Sequence, residues 1–210
     1  MKSKNNKMKT LLHVGCNILD KKGTLPYFFD DSWEEIRYDI DASVNPTIVG
    51  SLTDLGMIES GTIDAIYSAH NIEHLFEFEV EIALAEFYRV LKSDGILVLA
   101  CPDLESVCKI VIDKGLYGRA YDTPTDGIVI TPHDMIYGWG RVIRSGNPFF
   151  AHKCGFDTQT MHHKLSDAKF KDFASFVTKT DFTLWVVARK GSLDNVSIET
   201  FAQTVFNGLM

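Results

Sequence analysis

The sequence predicts an α/β fold built on a buried, largely parallel sheet, and three features carry that prediction. Ile63–Ala69 and Gly95–Cys101 are continuous apolar runs, the pattern of strands covered on both faces. Between them an amphipathic helix runs from Phe78 to Leu91, so strand, helix and strand read as a βαβ crossover. Late in the chain, Phe173–Thr178 and Phe182–Ala188 flank Lys179-Thr180-Asp181 and read as an antiparallel hairpin.

The remaining elements follow from the same rules. Thr10–Val14 is a short apolar strand stopped by Gly15, Ile36–Ile40 alternates and is followed by Asp41, and Thr47–Val49 is brief and β-branched. The helix places Val80, Ala83, Leu84, Phe87, Val90 and Leu91 at helical spacing. Its acids come early and Arg89 and Lys92 come late, which suits the helix dipole, and Ser93-Asp94-Gly95 ends it. Residues 115–157 carry glycine, proline and aromatics without regular periodicity and read as an irregular insertion or lid on the substrate side. A helix is predicted over Thr158–Ala168, and a short amphipathic docking helix within a C-terminal extension, residues 191–210.

Composition narrows the function classes. The 210 residues carry a net charge of −7, which disfavours a duplex nucleic-acid partner, because such a partner needs a basic face. No apolar stretch is long enough to span a membrane, and the basic start, residues 1–9, lacks the apolar region of a secretory signal and reads as a flexible tail. Cys16, Cys101, Cys108 and Cys154 form no paired motif, so reduced thiols and a cytoplasmic location are expected. One domain over residues 10–190 accommodates the length.

Two loops at strand ends mark the candidate site. Gly15-Cys16-Asn17 follows the first strand, where glycine allows the backbone to approach a ligand. Asp39-Ile40-Asp41 closes the second strand, where an acid accepts hydrogen bonds from ribose hydroxyls; a surface acid or helix cap is the alternative. The fingerprint GxGxxG is absent, which disfavours a nucleotide-dependent oxidoreductase.

Together with IDAIYSAHNIEHL (63–75), EFYRVLKSDGILVLACPDL (86–104) and GFDTQTMHHKLSDAKFKDF (155–173), these loops resemble class I S-adenosylmethionine-dependent methyltransferases. The resemblance is nearest to the small bacterial, type 11-like branch and covers about residues 10–190. It implies a Rossmann-like, doubly wound sheet of seven strands, mostly parallel with an antiparallel last strand. It also implies S-adenosylmethionine as cofactor, with S-adenosylhomocysteine as product. By that resemblance Gly15, Cys16 and Asn17 lie against the methionine part and Asp39, or its rival Asp41, takes the ribose. Ser51 and Leu52 flank the adenine, and Ala69 and His70 line the cofactor near the reacting methyl.

The chain departs from the family at three of these places. His13 replaces an acid, Asn17 replaces the second glycine of the loop, and Ser51 replaces an adenine-contacting Asp. Asn tolerates positive φ, so the turn survives. The departures motivate a second reading, an accessory protein that binds cofactor on the same fold with weakened catalysis.

His74 and His70 are the candidate catalytic residues, with His74 as a general base, since an imidazole titrates near neutrality. A packing or capping role is the alternative for His74. His70-Asn71-Ile72-Glu73-His74 also matches HxxEH, the inverted zinc-peptidase motif. That reading is disfavoured because His70 falls at a strand end, and no metal site is predicted; a set from His152, Cys154, His162 and His163 fits no zinc spacing. His133, Tyr137, Trp139 and His152, with Arg141, Arg144 and Lys153, lie where the family recognises its acceptor. Aromatics and cations together suit a planar or anionic acceptor, and an aromatic mini-core under the loop is the alternative. The chain lacks the Asn/Asp-Pro-Pro-aromatic motif of nucleic-acid amino-methylating enzymes. A small-molecule or glycan-type acceptor is therefore expected. The oligomeric state is not legible.

Overall fold

The computed structural model describes residues 8–124, 126–191 and 196–209. Most of the predicted basic tail and the start of the predicted C-terminal extension lie outside the described residues. The strands are β1 (Lys9–Val14), β2 (Trp33–Asp39), β3 (Ile48–Val49), β4 (Ile63–Ala69), β5 (Leu91–Pro102), β6 (Tyr121–Asp122), β7 (Val129–Ile130), β8 (Asp172–Val177) and β9 (Thr183–Arg189). The helices are α1 (Glu77–Val90), α2 (Leu104–Lys114), α3 (Pro132–Tyr137), α4 (Gly140–Arg144), α5 (Thr158–Asp167) and α6 (Ile198–Val205).

Seven strands form one sheet in the order β3-β2-β1-β4-β5-β9-β8. The β1–β2, β1–β4, β2–β3 and β4–β5 pairs are parallel, and β9 runs antiparallel between β5 and β8. This is the Rossmann-like, mostly parallel sheet with an antiparallel strand that the residues and the resemblance predicted. The order reverses at β1 and β4, which creates a crevice at their carboxyl ends.

Strand alternation divides the core in two. Leu12, Ile66, Leu97 and Val186 point to one face, where Leu84 and Phe87 of α1 and Met161 and Leu165 of α5 pack. Their chain neighbours Leu11, Tyr67, Val98 and Val187 point to the other face. That second face has an unusual cover. The segments joining β1 to β2, β2 to β3 and β3 to β4 contain only short 3-10 turns and no α-helix. Leu25 and Phe28 from the first segment, with Ile198, Ala202, Val205 and Phe206 from the C-terminal end, close the face instead. The amphipathic C-terminal helix thus stands where a crossover helix would lie.

Residues 115–157 are more ordered than an irregular loop. β6 and β7 pair antiparallel, α3 begins with a Thr131–Asp134 capping box, and Val107 of α2 joins Ile130 and Met135 in a small core of their own. The sequence concealed this because each element is under two turns long and its apolar residues pack on a helix outside the segment.

Phe206 is 1% exposed, with ring centroids 5.0 Å from Phe176 and 5.7 Å from Trp185. Phe206→Ala should therefore cost about 3–5 kcal/mol of stability, measured by urea unfolding of the full chain.

Candidate functional site

The turn after β1 is built around close backbone approach. Gly15 has φ of +63°, and a Cβ there would sit 2.3 Å from Asn71 Nδ2. The Asn71 amide lies directly beneath and donates to the Val14 carbonyl at 2.7 Å, while its oxygen accepts from Ser68 Oγ at 2.6 Å. One buried side chain thereby holds the ends of β1 and β4 together at the switch point. Asn17 adopts φ of +49°, the left-handed conformation that its residue type tolerates.

Asp39 is fixed by two backbone donors. Asn17 N–H reaches Oδ2 at 2.8 Å and Asp41 N–H reaches Oδ1 at 2.9 Å, leaving each oxygen a further lone pair. Arg37 braces both loops from behind, donating to the carbonyls of Leu19 and Asn45 at 2.9 Å and of Asn17 at 2.5 Å. His13, which stands where the family has an acid, is buried and bonded to Glu35 Oε1 at 2.8 Å. The acid is thus supplied from the neighbouring strand, at a position that no local motif reveals. Burial lowers the His13 pKa, against the opposing pull of Glu35.

A cleft of about 230 Å³ opens at this edge. It brings together Gly15, Asn17, Asp39, Asp41, Ser51, Leu52, His70 and His74, all singled out from sequence. It adds the apolar side chains Ile40, Val44, Leu75, Phe149 and Phe150, and the oppositely charged Glu79 and Lys153. Asn147, Phe149, Phe150 and Lys153 come from the cap formed by residues 115–157, so the cap roofs the cleft. Asn147 Nδ2 also reaches Asp41 Oδ2 at 3.4 Å.

Two residues selected for this site lie apart from it. Cys16 is fully buried beneath the turn, its thiol pushed up to about 11 by burial, so only its backbone faces the loop. Ala69 packs against the second core and does not line the cleft.

A second cavity of about 260 Å³ lies under the cap. His70, His74 and Phe150 line both spaces, so the two meet there. Trp139 and His152 line the second cavity, as placed from sequence. His133 and Tyr137 do not; His133 stacks on the exposed Tyr117, and Tyr137, itself exposed, tilts against His133. Arg141 and Arg144 also stay outside the cavity, and the carboxylates of Asp134 and Asp181 line it instead. The lining thus combines carboxylates, histidines and aromatics, without the arginines expected to suit a planar or anionic acceptor. Tyr121 contributes a phenol that burial pushes up to about 12 and so keeps neutral.

At the junction, residues 70–74 do not form the α-helix that HxxEH requires. His70 has φ of +52° at the strand end, and Ile72–His74 is a 3-10 turn, which excludes the inverted-peptidase arrangement on one helix. The Glu73 carboxylate is 1% exposed and neither oxygen has a hydrogen-bond partner. Its nearest cation, His70 Nδ1, is 3.6 Å away. Burial opposes the charged forms of both groups, but their mutual attraction prevails, raising the His70 pKa and lowering that of Glu73. His74 Nδ1 donates to the Ala151 carbonyl at 3.0 Å and His152 Nδ1 to the Met135 carbonyl at 2.9 Å. Both rings therefore keep Nε2 free as an acceptor. Gly138 allows this close passage, since a Cβ there would lie 2.0 Å from the Phe150 carbonyl.

Comparison with known proteins agrees with this architecture. Residues 23–99, less than half of the chain, match the model of the family described as a methyltransferase domain. Among solved structures, a Pyrococcus horikoshii protein shares the fold with a TM-score of 0.57 at 14% identity, over 89% of this chain and 84% of that one. A SAM-dependent methyltransferase from Archaeoglobus fulgidus gives 0.56 at 13% identity, over 88% and 87%. The Burkholderia thailandensis 1,6-didemethyltoxoflavin-N1-methyltransferase, solved with that compound and S-adenosylhomocysteine, gives 0.51 at 12% identity, over 87% and 71%. No curated protein matches the sequence significantly. The chain thus shares the Rossmann-like fold of these proteins, and residues 23–99 resemble a methyltransferase domain.

Two outcomes follow from the turn and from His13. Gly15→Ala strains the backbone and drives a methyl into Asn71, so it should cost at least about 1–3 kcal/mol in urea unfolding. The folded pKa of His13 lies below the unfolded value of about 6.5, so the unfolded chain binds the proton more readily. Its contribution is complete above that value and is lost as pH falls through the folded pKa. Unfolding midpoints should drop as pH falls below about 6.5, and His13→Gln should remove part of that drop.

Proposed function

We propose that this chain transfers a methyl group from S-adenosylmethionine to a hydroxyl of a small, neutral, saccharide-like acceptor. The observation that carries the reading is the meeting of two cavities at His70, His74 and Phe150, on the carboxyl edge of a class I sheet. The first cavity fits the cofactor. Asp39 suits a ribose diol, Ile40, Val44, Leu52 and Phe149 offer an apolar slot for a flat base, and Lys153 and Glu79 oppose the charges of the methionine end. When bound, the cofactor supplies a sulfonium methyl.

The second cavity selects the acceptor. Trp139 presents an aromatic ring, and Asp134, Asp181, Tyr121 and Thr123 present polar groups suited to several hydroxyls. The Asp134 and Asp181 carboxylates disfavour an anion beside them, and the neutral Tyr121 phenol serves as a hydrogen-bond donor. His70 and Phe150 narrow the passage so that the acceptor oxygen meets the methyl in line, and the cap excludes water. The oxygen's electron pair forms the new O–CH₃ bond as the S–CH₃ bond breaks. The hydroxyl proton leaves toward the free Nε2 of His74 or His152. The absence of membrane-spanning helices among the described residues and the net charge of −7 both accord with a water-borne acceptor in the cytoplasm.

One observation favours the accessory reading. The segment after β1 holds only 3-10 turns, so no α-helix N-terminus faces the methionine end. Cofactor binding without turnover on any acceptor is the result that would select it.

Calorimetry with S-adenosylmethionine and S-adenosylhomocysteine tests the proposal. Both should bind one per chain, and Asp39→Asn should weaken them by about tenfold or more. Absence of binding to the folded chain would overturn the reading. An unchanged affinity in Asp39→Asn would move the ribose to Asp41.

A further inference from the structure

We propose that Glu73, His74 and His152 bind one divalent transition-metal ion at the floor of the acceptor cavity. Among the described residues this is the one group of three or more His, Cys, Asp or Glu side chains within ligand reach. One ligand atom from each lies within 4.8 Å of the other two. Ligands of one tetrahedral ion, at about 2.1 Å each, stand about 3.4 Å apart, so the three atoms draw together by up to about 1.4 Å to close the site.

Three independent features fit a metal. The first is the Glu73 carboxylate, which is 1% exposed, lines the cavity and has no hydrogen-bond partner for either oxygen. A buried carboxylate without partners is costly, and an ion would satisfy it directly. The second is the pair of histidines. Each donates Nδ1–H to a backbone carbonyl, His74 to Ala151 and His152 to Met135, which sets the tautomer that offers Nε2. Such a carbonyl behind the ring is the usual support of a metal-bound histidine. The third is geometry. The rings of His74 and His152 sit 4.8 Å apart at 70°, edge to face and not stacked, which keeps their ring nitrogens in one neighbourhood with Glu73.

The donor set names the class of ion. Two imidazoles and a carboxylate suit Zn²⁺, Co²⁺, Fe²⁺ or Mn²⁺ better than Mg²⁺ or Ca²⁺, which prefer oxygen. Three protein ligands leave a position open, and His70, beside Glu73 and on the same cavity wall, is a further donor. The open position faces the acceptor. With Nε2 of His74 and His152 held by the ion, neither ring takes the acceptor's proton; the ion would instead act as a Lewis acid on the hydroxyl oxygen, so that the proton passes to water and the oxygen is left nucleophilic. This catalytic role rests on the methyl-transfer reading; binding of the ion does not. The sequence hid the site because its ligands are separated by most of the cap, and HxxEH points to a helix that does not form.

The untagged full chain, stripped with chelator and dialysed, is titrated with Zn²⁺ by calorimetry and with Co²⁺ by visible absorption. The expected result is one ion per chain and a Co²⁺ spectrum of fewer than six ligands. His152→Ala, His74→Ala and Glu73→Gln should each weaken Zn²⁺ by at least about tenfold. His163→Ala, an exposed histidine of α5, should leave affinity unchanged. No stoichiometric ion, or equal losses in His163→Ala and His152→Ala, would overturn the proposal and leave only the His70–Glu73 pair. The Co²⁺ spectrum of the unaltered chain decides the matter even where a variant fails to fold. S-adenosylmethionine calorimetry on the stripped chain reports separately. A chain that binds the cofactor but takes up no stoichiometric ion overturns this inference alone, and one that binds the ion but no cofactor overturns the methyltransferase reading alone.

Discussion

The site depends on the Asn71 side chain beneath Gly15. Its amide bridges the Val14 carbonyl at the end of β1 and the Ser68 hydroxyl at the end of β4. Those strands flank the point where the sheet order reverses, so the bridge holds the crevice at a fixed width. The contact requires a residue without Cβ above it, and only Gly15 meets that demand at φ of +63°. Asn17, Asp39 and Arg37 then form one hydrogen-bonded unit around the turn. Asp39 is held in place before any ligand arrives, so less conformational entropy is lost on binding.

The same economy shapes the rest of the fold. With no α-helix in the first three connections, one face of the sheet would be open to water. Phe28 and the C-terminal Phe206 cover it, joined by Trp33, Tyr67 and Trp185 in an aromatic layer. Large rings remove much apolar area from water per residue, which compensates for short connections. The chain length saved there is spent on the cap, whose small core lets it roof both cavities as a unit.

The junction of the cavities concentrates unsatisfied chemistry. His70 sits at positive φ, and Glu73 is a buried carboxylate without a partner. Strained backbone and lone buried charge persist where surrounding structure enforces them and where a ligand relieves them. The Asp134 and Asp181 carboxylates and the neutral Tyr121 phenol line the same cavity.

The sheet was legible in the sequence because its physics is local. Ile63–Ala69 reads as a buried strand from its own residues, and the strands of the hairpin lie within a residue or two of their predicted bounds. Strand ends then nominated Gly15, Asp39 and Asp41, and the family resemblance added Ser51, Leu52 and His70, which share one cleft with His74. What escaped is what chain neighbours cannot report. Cys16 sits in the nominated turn, yet its side chain packs inward. His133 and Tyr137 have the composition of a binding loop but pack against each other outside the cavity. Glu35 supplies the acid beside His13 from another strand, and Asp181 reaches the second cavity from the final hairpin. The sequence by itself determined the alternating buried strands, the helix between them and the polar residues at strand ends, since each follows from periodicity and turn chemistry. The tertiary structure alone decided which side chains converge. Convergence depends on how the cap folds over the sheet edge, and that is set by contacts between residues far apart in the chain.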